Sequence, residues 1–96
     1  MGSNRAEQAS NNTTKFISNF TLYNENADYS IIIRDDFINV RMSNFCVKTN
    51  KNGIKLGENN TTPLDGAFDN FYINCRGSLG DGFNGFDVHS TDNKFS

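Results

Sequence analysis

The sequence predicts an all-β protein, a small antiparallel β-sandwich or jelly-roll-like barrel of about six or seven short strands. Three observations support this prediction. Asn contributes 16 of the 96 residues and Ala only 4, so good helix formers are scarce. From Lys15 onward, apolar and polar side chains alternate with the period of two that is typical of a half-buried strand. Clusters of Asn, Asp and Gly, which favour turns, separate the alternating segments.

The chain is predicted to consist of an arm and one domain. Residues 1–14 are expected to form a polar N-terminal arm, because they contain no large apolar side chain after Met1. The first three residues, Met-Gly-Ser, are also a common remnant of expression vectors, so part of the arm is attributed to the vector. Residues 15–96 are expected to form a single β domain with a Gly- and Asp-rich C-terminal segment over residues 77–96.

The alternating segments predict strands joined by tight turns. On the first strand, Phe16 and Phe20 are expected on the core face and Ile17 on the opposite face. Two antiparallel hairpins are expected to follow, one turning at residues 35–36 and the other at residues 50–53, which end in an Asn-Gly pair. The predicted strands cover residues 15–23, 29–34, 37–42, 45–49, 54–56, 68–75 and 86–89, with a loop over residues 57–66.

Charge and hydropathy argue against two classes of partner. Nine Lys and Arg against eleven Asp and Glu leave no basic stripe for a phosphate backbone, so no nucleic-acid partner is expected. No apolar run approaches the roughly 20 residues that span a bilayer, so no membrane insertion is expected. Several Asn-X-Thr acceptor sites for glycosylation favour an extracellular or virion-associated location over the cytoplasm, although the sequence does not fix the compartment.

Cys46 and Cys75 leave two alternatives open. They can form one disulfide that closes a loop of about 29 residues, or remain two buried thiols. His89 is the one histidine of the sequence, so a Cys-His nucleophile pair would need it beside one of these cysteines. Both cysteines fall in predicted strands, which favours a structural role for all three residues. No enzymatic activity is expected.

Oxygen donors accumulate in the last third of the sequence and make calcium the cofactor hypothesis to consider. The candidate ligands are Asp81, Asn84 and Asp87, in a segment that partly imitates a calcium-binding β-roll repeat. That repeat occurs once, whereas the β-roll needs stacked copies. The favoured interpretation is that these residues form turns in a solvated loop, so no cofactor is expected and calcium is the alternative.

Residues 54–74 carry a local resemblance to a known family. The segment has Leu-Gly at residues 56–57, a polar loop, Gly66, and then Asp69-Asn70 before an alternating strand. It resembles a stretch of laminin-G-like and other concanavalin-type jelly rolls, over 21 of the 96 residues. The resemblance implies a jelly-roll fold and binding to glycans or protein surfaces, often through calcium. It carries over no individual ligand residue.

The predicted function is binding. Nine Phe and three Tyr exceed what a few short strands need, so some are expected to form an exposed patch that anchors a ligand. The first hypothesis is a non-enzymatic module that recognises a glycan or another surface ligand through turn-rich loops. The alternative is a small viral-, phage- or toxin-associated protein that binds, inhibits or assembles with a protein partner or with copies of itself. The candidate ligand-binding residues are Tyr23, Asp65, Asp69, Asn70, Tyr72, Phe83 and Phe86.

Overall fold

Seven β-strands form the secondary structure that the computed structural model describes, and the described residues contain no helix. The predicted all-β class is therefore confirmed. The described residues are 13–34, 39–60, 63–76 and 83–96. The strands are β1 (Lys15–Asn24), β2 (Tyr29–Ile33), β3 (Val40–Thr49), β4 (Asn52–Leu56), β5 (Pro63–Cys75), β6 (Phe86–Val88) and β7 (Thr91–Phe95).

Five sequence predictions fall partly or wholly outside the described residues. The residues concerned are 1–12 of the polar arm, the reversal at 35–36, 37–38 of the predicted strand 37–42, 61–62 of the predicted loop, and 77–82 at the start of the Gly- and Asp-rich segment. In the part of the chain that is described, no helix is long and apolar enough to cross a membrane.

All strand pairs are parallel, and consecutive strands lie in different sheets. Sheet A contains the odd-numbered strands in the order β1-β3-β5-β7, and sheet B contains the even-numbered strands in the order β2-β4-β6. The chain therefore alternates between the two sheets and adds one strand to each sheet per circuit. This arrangement is a β-solenoid, in which each circuit covers the previous one and contacts only its neighbours.

The strand register gives the length of one circuit, which we call a rung. Lys15 pairs with Val40, Arg41 with Ala67, and Ala67 in turn with Lys94. Successive partners are therefore about 26 residues apart, a period within the range typical of solenoids. The first rung begins at Lys15, the second at the start of β3, and the third at Gly66 in β5 and ends at β7. Side chains at matching positions of successive rungs therefore stack in columns.

The predicted antiparallel sandwich or jelly roll is wrong, because neither predicted hairpin forms. The two segments expected to pair across residues 35–36 lie in β2 and β3, which belong to different sheets. The two segments expected to pair across residues 50–53 lie in β3 and β4, which also belong to different sheets. Period-two alternation identifies a strand but not its partner. A predicted loop also changes, since β5 begins at Pro63, inside residues 57–66.

Asn19 decides which side chains of β1 face the core. Its φ of 61° lies in the left-handed region, and the inward-outward alternation shifts by one residue at this point. Ile17 is in register with buried Met42, whereas Phe16 is 79% exposed. The expected positions of Phe16 and Ile17 are therefore both wrong, because the alternation was assumed to continue unbroken through the strand.

The same left-handed position recurs in each rung. Asn44 has a φ of 56° and Asn70 a φ of 49°, and both stand above Asn19 in one column. Asn44 Nδ2 donates to Asn19 Oδ1, and Asn70 Nδ2 donates to Asn44 Oδ1 over 3.1 Å. We call this column the asparagine ladder. Short Asx side chains tolerate positive φ better than other non-glycine residues, so the ladder combines a backbone requirement with stacking of identical amides.

The core is built from columns of apolar side chains beside the ladder. The rings of Phe20 and Phe45 stack with centroids 5.3 Å apart, and those of Phe45 and Phe71 with centroids 5.4 Å apart. A second aromatic group joins Phe68 and Phe86 to the ring of β7. Stacked like side chains bury apolar surface between rungs and favour a single register. The buried hydrophobic residues are Ile33, Val40, Met42, Phe45, Val47, Ile54, Leu56, Leu64 and Phe68.

The asparagine ladder predicts different effects for two substitutions of its central residue. Asn44→Ala should lower the free energy of unfolding by about 2 kcal/mol. The substitution removes two amide hydrogen bonds, and it puts alanine at a positive φ that alanine tolerates less well than asparagine does. Asn44→Gly keeps the backbone conformation and loses only the bonds, so we expect a loss of about 1 kcal/mol. Urea unfolding followed by circular dichroism measures both. Equal losses in the two variants would contradict the backbone part of this explanation.

Candidate binding face of sheet A

The outer surface of sheet A carries three neighbouring columns of polar and aromatic side chains. The alternation that buries Phe45, Val47 and Thr49 in β3 turns Cys46 and Lys48 outward. Corresponding outward positions in β1 and β5 stand in register with those of β3. We call this surface the outer face. It comprises the columns Asn19/Asn44/Asn70, Thr21/Cys46/Tyr72 and Tyr23/Lys48/Asn74.

Two tyrosine rings project from the outer face. Tyr23 in the first rung is 73% exposed and Tyr72 in the third rung is 57% exposed. They are separated by two strand spacings across the sheet and two positions along it, which places their Cα atoms about 12 Å apart for regular strand geometry. Because both belong to paired strands, their backbone positions are fixed by the sheet and not by a loop.

Two depressions on the outer face are lined by described residues. The first, which we call the ladder groove, has a volume of about 540 Å³ and runs beside Asn19, Asn44 and Asn70, with Tyr72 among its lining residues. The second, which we call the cationic groove, has a volume of about 250 Å³. Its lining residues are Tyr23, Lys48, Thr49, Asn50, Asn74 and Arg76.

The cationic groove is positively charged. It is lined by Lys48 and Arg76 and by no carboxylate among the described residues. The ion pairs found in the described part of the chain involve other groups, namely Arg34–Glu58, Arg41–Asp65, Lys51–Asp28 and His89–Asp87. Lys48 and Arg76 are exposed and are not members of these pairs. This groove is therefore suited to binding an anionic group of a ligand.

The structure brings together four of the seven predicted ligand-binding residues. Tyr23, Asn70 and Tyr72 belong to the outer face, and exposed Asp69 precedes Asn70 in the same strand. Asp65 lies near the start of β5, where its carboxylate is 3.6 Å from Arg41 Nη2.

Neither predicted phenylalanine belongs to the columns or the grooves of the outer face. Phe86 is in β6 of sheet B, and its ring packs within 5.2 Å, centroid to centroid, of Phe68, Phe71 and Phe95. Phe83 is half-buried and precedes that strand. The surface proposed below therefore includes the two tyrosines and neither phenylalanine.

The calcium hypothesis receives no geometric support from the residues that can be placed. Asp87 accepts a hydrogen bond from the Tyr29 hydroxyl and lies 2.8 Å from His89 Nε2. The backbone N–H of Asn84 donates to Asn52 Oδ1, and its carbonyl oxygen accepts from the N–H of Gly53. Asp81 lies outside the described residues. In the described ranges no group of three or more His, Cys, Asp or Glu side chains is placed to hold a metal ion. Calcium stays the untested alternative to the expectation of no cofactor.

His89 belongs to a polar chain on sheet B and not to a Cys-His pair. His89 Nδ1 lies 3.2 Å from Asn60 Oδ1, and its other ring nitrogen faces Asp87. Tyr29 joins this chain, because its hydroxyl donates a hydrogen bond to Asp87. That bond is the largest cause of the raised pKa of Tyr29, and burial and the negative charge of Asp87 raise the pKa further. A raised pKa keeps the phenol protonated, so Tyr29 acts as a donor that ties β2 to β6.

Both cysteines are free and half-buried in the structure, whereas the alternative to a disulfide was two buried thiols. Cys46 lies on the outer face in the column of Thr21 and Tyr72. Cys75 is in register with buried Thr49, and its Sγ donates to the carbonyl oxygen of Asn84 over 3.4 Å. Burial raises the pKa of the Cys75 thiol, so this cysteine is a poor nucleophile.

The sequence analysis missed the two cations of this surface, Lys48 and Arg76, and most of its asparagines. The signal that would have placed them is an internal repeat, Ser-Asn-Phe at residues 18–20 and 43–45 and Asp-Asn-Phe at residues 69–71. Repeats at a nearly constant spacing of about 25 residues indicate stacked rungs, and aligning them puts Lys48 beside Asn74.

Comparisons of this chain with protein-family models, with curated proteins and with solved structures found no match. They therefore add nothing to the resemblance of residues 54–74 to laminin-G-like domains. In the structure this segment contains most of β4 and β5, which lie in different sheets.

Proposed function

We propose that this protein is a non-enzymatic module that binds a glycan on the outer face of sheet A. The observation that carries the proposal is the pair of exposed tyrosine rings, Tyr23 and Tyr72, which paired strands hold on one face, on the same side of the asparagine ladder. Tyrosine offers an apolar face to the C–H groups of a sugar ring and a hydroxyl to its polar edge. Asn and Thr side chains supply donors and acceptors for sugar hydroxyls.

Rigid placement of these groups supports the proposal. Sites on strands keep their geometry better than sites on loops, so less conformational entropy is lost when a ligand binds. The separation of about 12 Å between Tyr23 and Tyr72, estimated from strand spacing, lets two sugars of one oligosaccharide contact the two rings. The ladder groove and the cationic groove lie on the same face and provide polar contacts beside each ring.

The proposal predicts a loss of sugar binding when the tyrosines are removed. We expect Tyr23→Ala and Tyr72→Ala each to weaken binding about tenfold, as removal of an interface anchor does. The measurement is titration of the full chain with cellohexaose, chitohexaose, a hyaluronan hexasaccharide and a heparin-derived hexasaccharide, followed by backbone amide shifts. The matched control is Phe16→Ala, since Phe16 is a comparably exposed ring of sheet A outside the two grooves.

Shifts confined to sheet A around the two tyrosines, together with an unchanged affinity in the Phe16 variant, would support the proposal. Unchanged affinity in both tyrosine variants, or no binding of any of the four sugars at millimolar concentration, would refute it.

Assembly with a protein is the second candidate, and the ends of the solenoid favour it. Ile17 at one end of a core column and Phe95 at the other end are both exposed. An end that leaves core positions and strand edges uncovered is a surface on which another chain can add. Sedimentation velocity separates the two candidates, because an assembly protein should form oligomers as its concentration rises and should not respond to sugars.

A further inference from the structure

The cationic groove brings two positive side chains to one point of the outer face. Lys48 is in register with Asn74 of the next rung. Arg76 follows two positions later on the same side, and its N–H donates to the carbonyl oxygen of Thr49 over 2.8 Å. Diagonal neighbours of this kind on one face of a sheet lie roughly 7 to 8 Å apart. Both long side chains can therefore reach the same anionic group between them.

The surroundings leave this charge uncompensated within the described residues. The cations of three other pairs have carboxylates within 3.6 Å, as between Arg41 and Asp65. Lys48 and Arg76 take part in none of these pairs, and the groove they share is lined otherwise by Tyr23, Thr49 and two asparagines. The protein as a whole carries a net charge of −2, so this concentration of positive charge is local and not a property of the composition.

We propose that the ligand of the outer face is an acidic glycan whose carboxylate or sulfate group binds between Lys48 and Arg76. This inference rests on the proposed glycan-binding function. The guanidinium of Arg76 offers two parallel N–H donors to such a group, and the ammonium of Lys48 offers a point charge. Tyr23 lines the same groove, so the sugar ring that bears the anionic group packs against its ring. The amides of Asn50 and Asn74 donate to the remaining acid or hydroxyl oxygens.

The test compares matched sugars on the full chain by isothermal titration calorimetry. The probes are a hyaluronan hexasaccharide, the same hexasaccharide with its carboxylates methyl-esterified, and a heparin-derived hexasaccharide. We expect the free acid to bind at least tenfold more tightly than the ester, and its affinity to fall as salt is added. Preference for the heparin fragment over hyaluronan would assign the groove to sulfate, and the reverse preference to carboxylate.

Substitutions in the groove assign the effect to these two residues. Lys48→Ala with Arg76→Ala should weaken binding of the preferred acidic sugar about 30-fold and remove most of its salt dependence. Lys48→Gln with Arg76→Gln repeats the test with side chains that keep their length. The control is Lys94→Ala, because Lys94 is an exposed lysine of sheet A in the column of Phe16 and Arg41, outside the groove.

The outcomes separate this inference from the function on which it rests. Equal affinity for the ester and the free acid, or an unchanged affinity in the Lys48 and Arg76 variants, overturns the inference that the ligand is acidic. In that case, loss of binding in the tyrosine variants still supports a glycan site. Absence of binding by all three sugars overturns both proposals. An acid preference that Lys94→Ala abolishes as fully as the groove variants do also overturns the inference, since it would indicate non-specific attraction to surface charge.

Discussion

Phe68→Ala should lower the free energy of unfolding by about 3 to 5 kcal/mol, the range for deleting a fully buried aromatic ring. The side chain of Phe68 is 0% exposed. Its ring lies 5.2 Å from that of Phe86 and 5.4 Å from that of Phe95, measured between centroids. Phe68 thus packs against the last strand of each sheet, β6 in sheet B and β7 in sheet A, and the cavity left by alanine would loosen both.

The expected loss is a large part of the total stability, since small domains unfold at a cost of roughly 5 to 15 kcal/mol. Urea unfolding followed by circular dichroism gives the free energy, and amide hydrogen exchange shows whether β6 and β7 lose protection first. Phe16→Ala is the control, because an exposed ring removed from the same sheet should change stability by no more than about 0.5 kcal/mol. A loss below about 1 kcal/mol in Phe68→Ala would contradict the packing described here.

The secondary structure was predictable because it depends on local pattern. The alternation in residues 15–23 and 68–75 correctly placed all but the last residue of β1 and the larger part of β5. The pairing of strands was not predictable from alternation, which is compatible with parallel or antiparallel neighbours. The deciding information was the recurrence of Asn19, Asn44 and Asn70 at nearly constant spacing, which the hairpin interpretation ignored.

Part of the high asparagine content has a structural explanation, since five of the sixteen asparagines have a positive φ. All the described non-glycine residues with positive φ are Asn or Asp, and they include Asn39, Asp65 and Asp92 as well as the asparagine ladder. Asn39, Asp65 and Asp92 recur with nearly the same period as the rungs, so they mark a second recurring bend of each circuit. Short Asx side chains allow the left-handed backbone that each bend requires.

The candidate site was predictable in part. An excess of aromatic residues indicated that some would be exposed, and Tyr23 and Tyr72 are. Their presence on one face, and the convergence of Lys48 with Arg76, depend on which residues of successive rungs are neighbours. That information is contained in the register, so a sequence interpreted without its repeat could not supply it.

Substitution of Gly53 is also expected to have a large effect on stability. The sequence and the structure give this glycine different roles. The Asn-Gly pair at residues 52–53 predicted a hairpin turn, but Gly53 lies within β4 and is buried. A Cβ at this position would stand 2.3 Å from the carbonyl oxygen of Gly85 and 3.0 Å from Ile73 Cγ2. The glycine is required by close approach of two chain segments and not by a turn.

Gly53→Ala should therefore destabilise the protein by about 3 kcal/mol, at the upper end of the range for overpacking, because backbone must move to admit the methyl group. The carbonyl of Gly85 that would be displaced accepts a hydrogen bond from Ile54 N–H over 2.8 Å, so the pairing of β4 with β6 is lost with it. Gly85→Ala is the matched control, since a Cβ there meets only Ile73 Cγ2 at 3.7 Å and Ile73 Cβ at 4.0 Å. We expect it to change stability by less than about 1 kcal/mol. Urea unfolding of both variants decides the point. Similar losses would show that glycine is needed at both positions for its backbone freedom, and not at Gly53 for space.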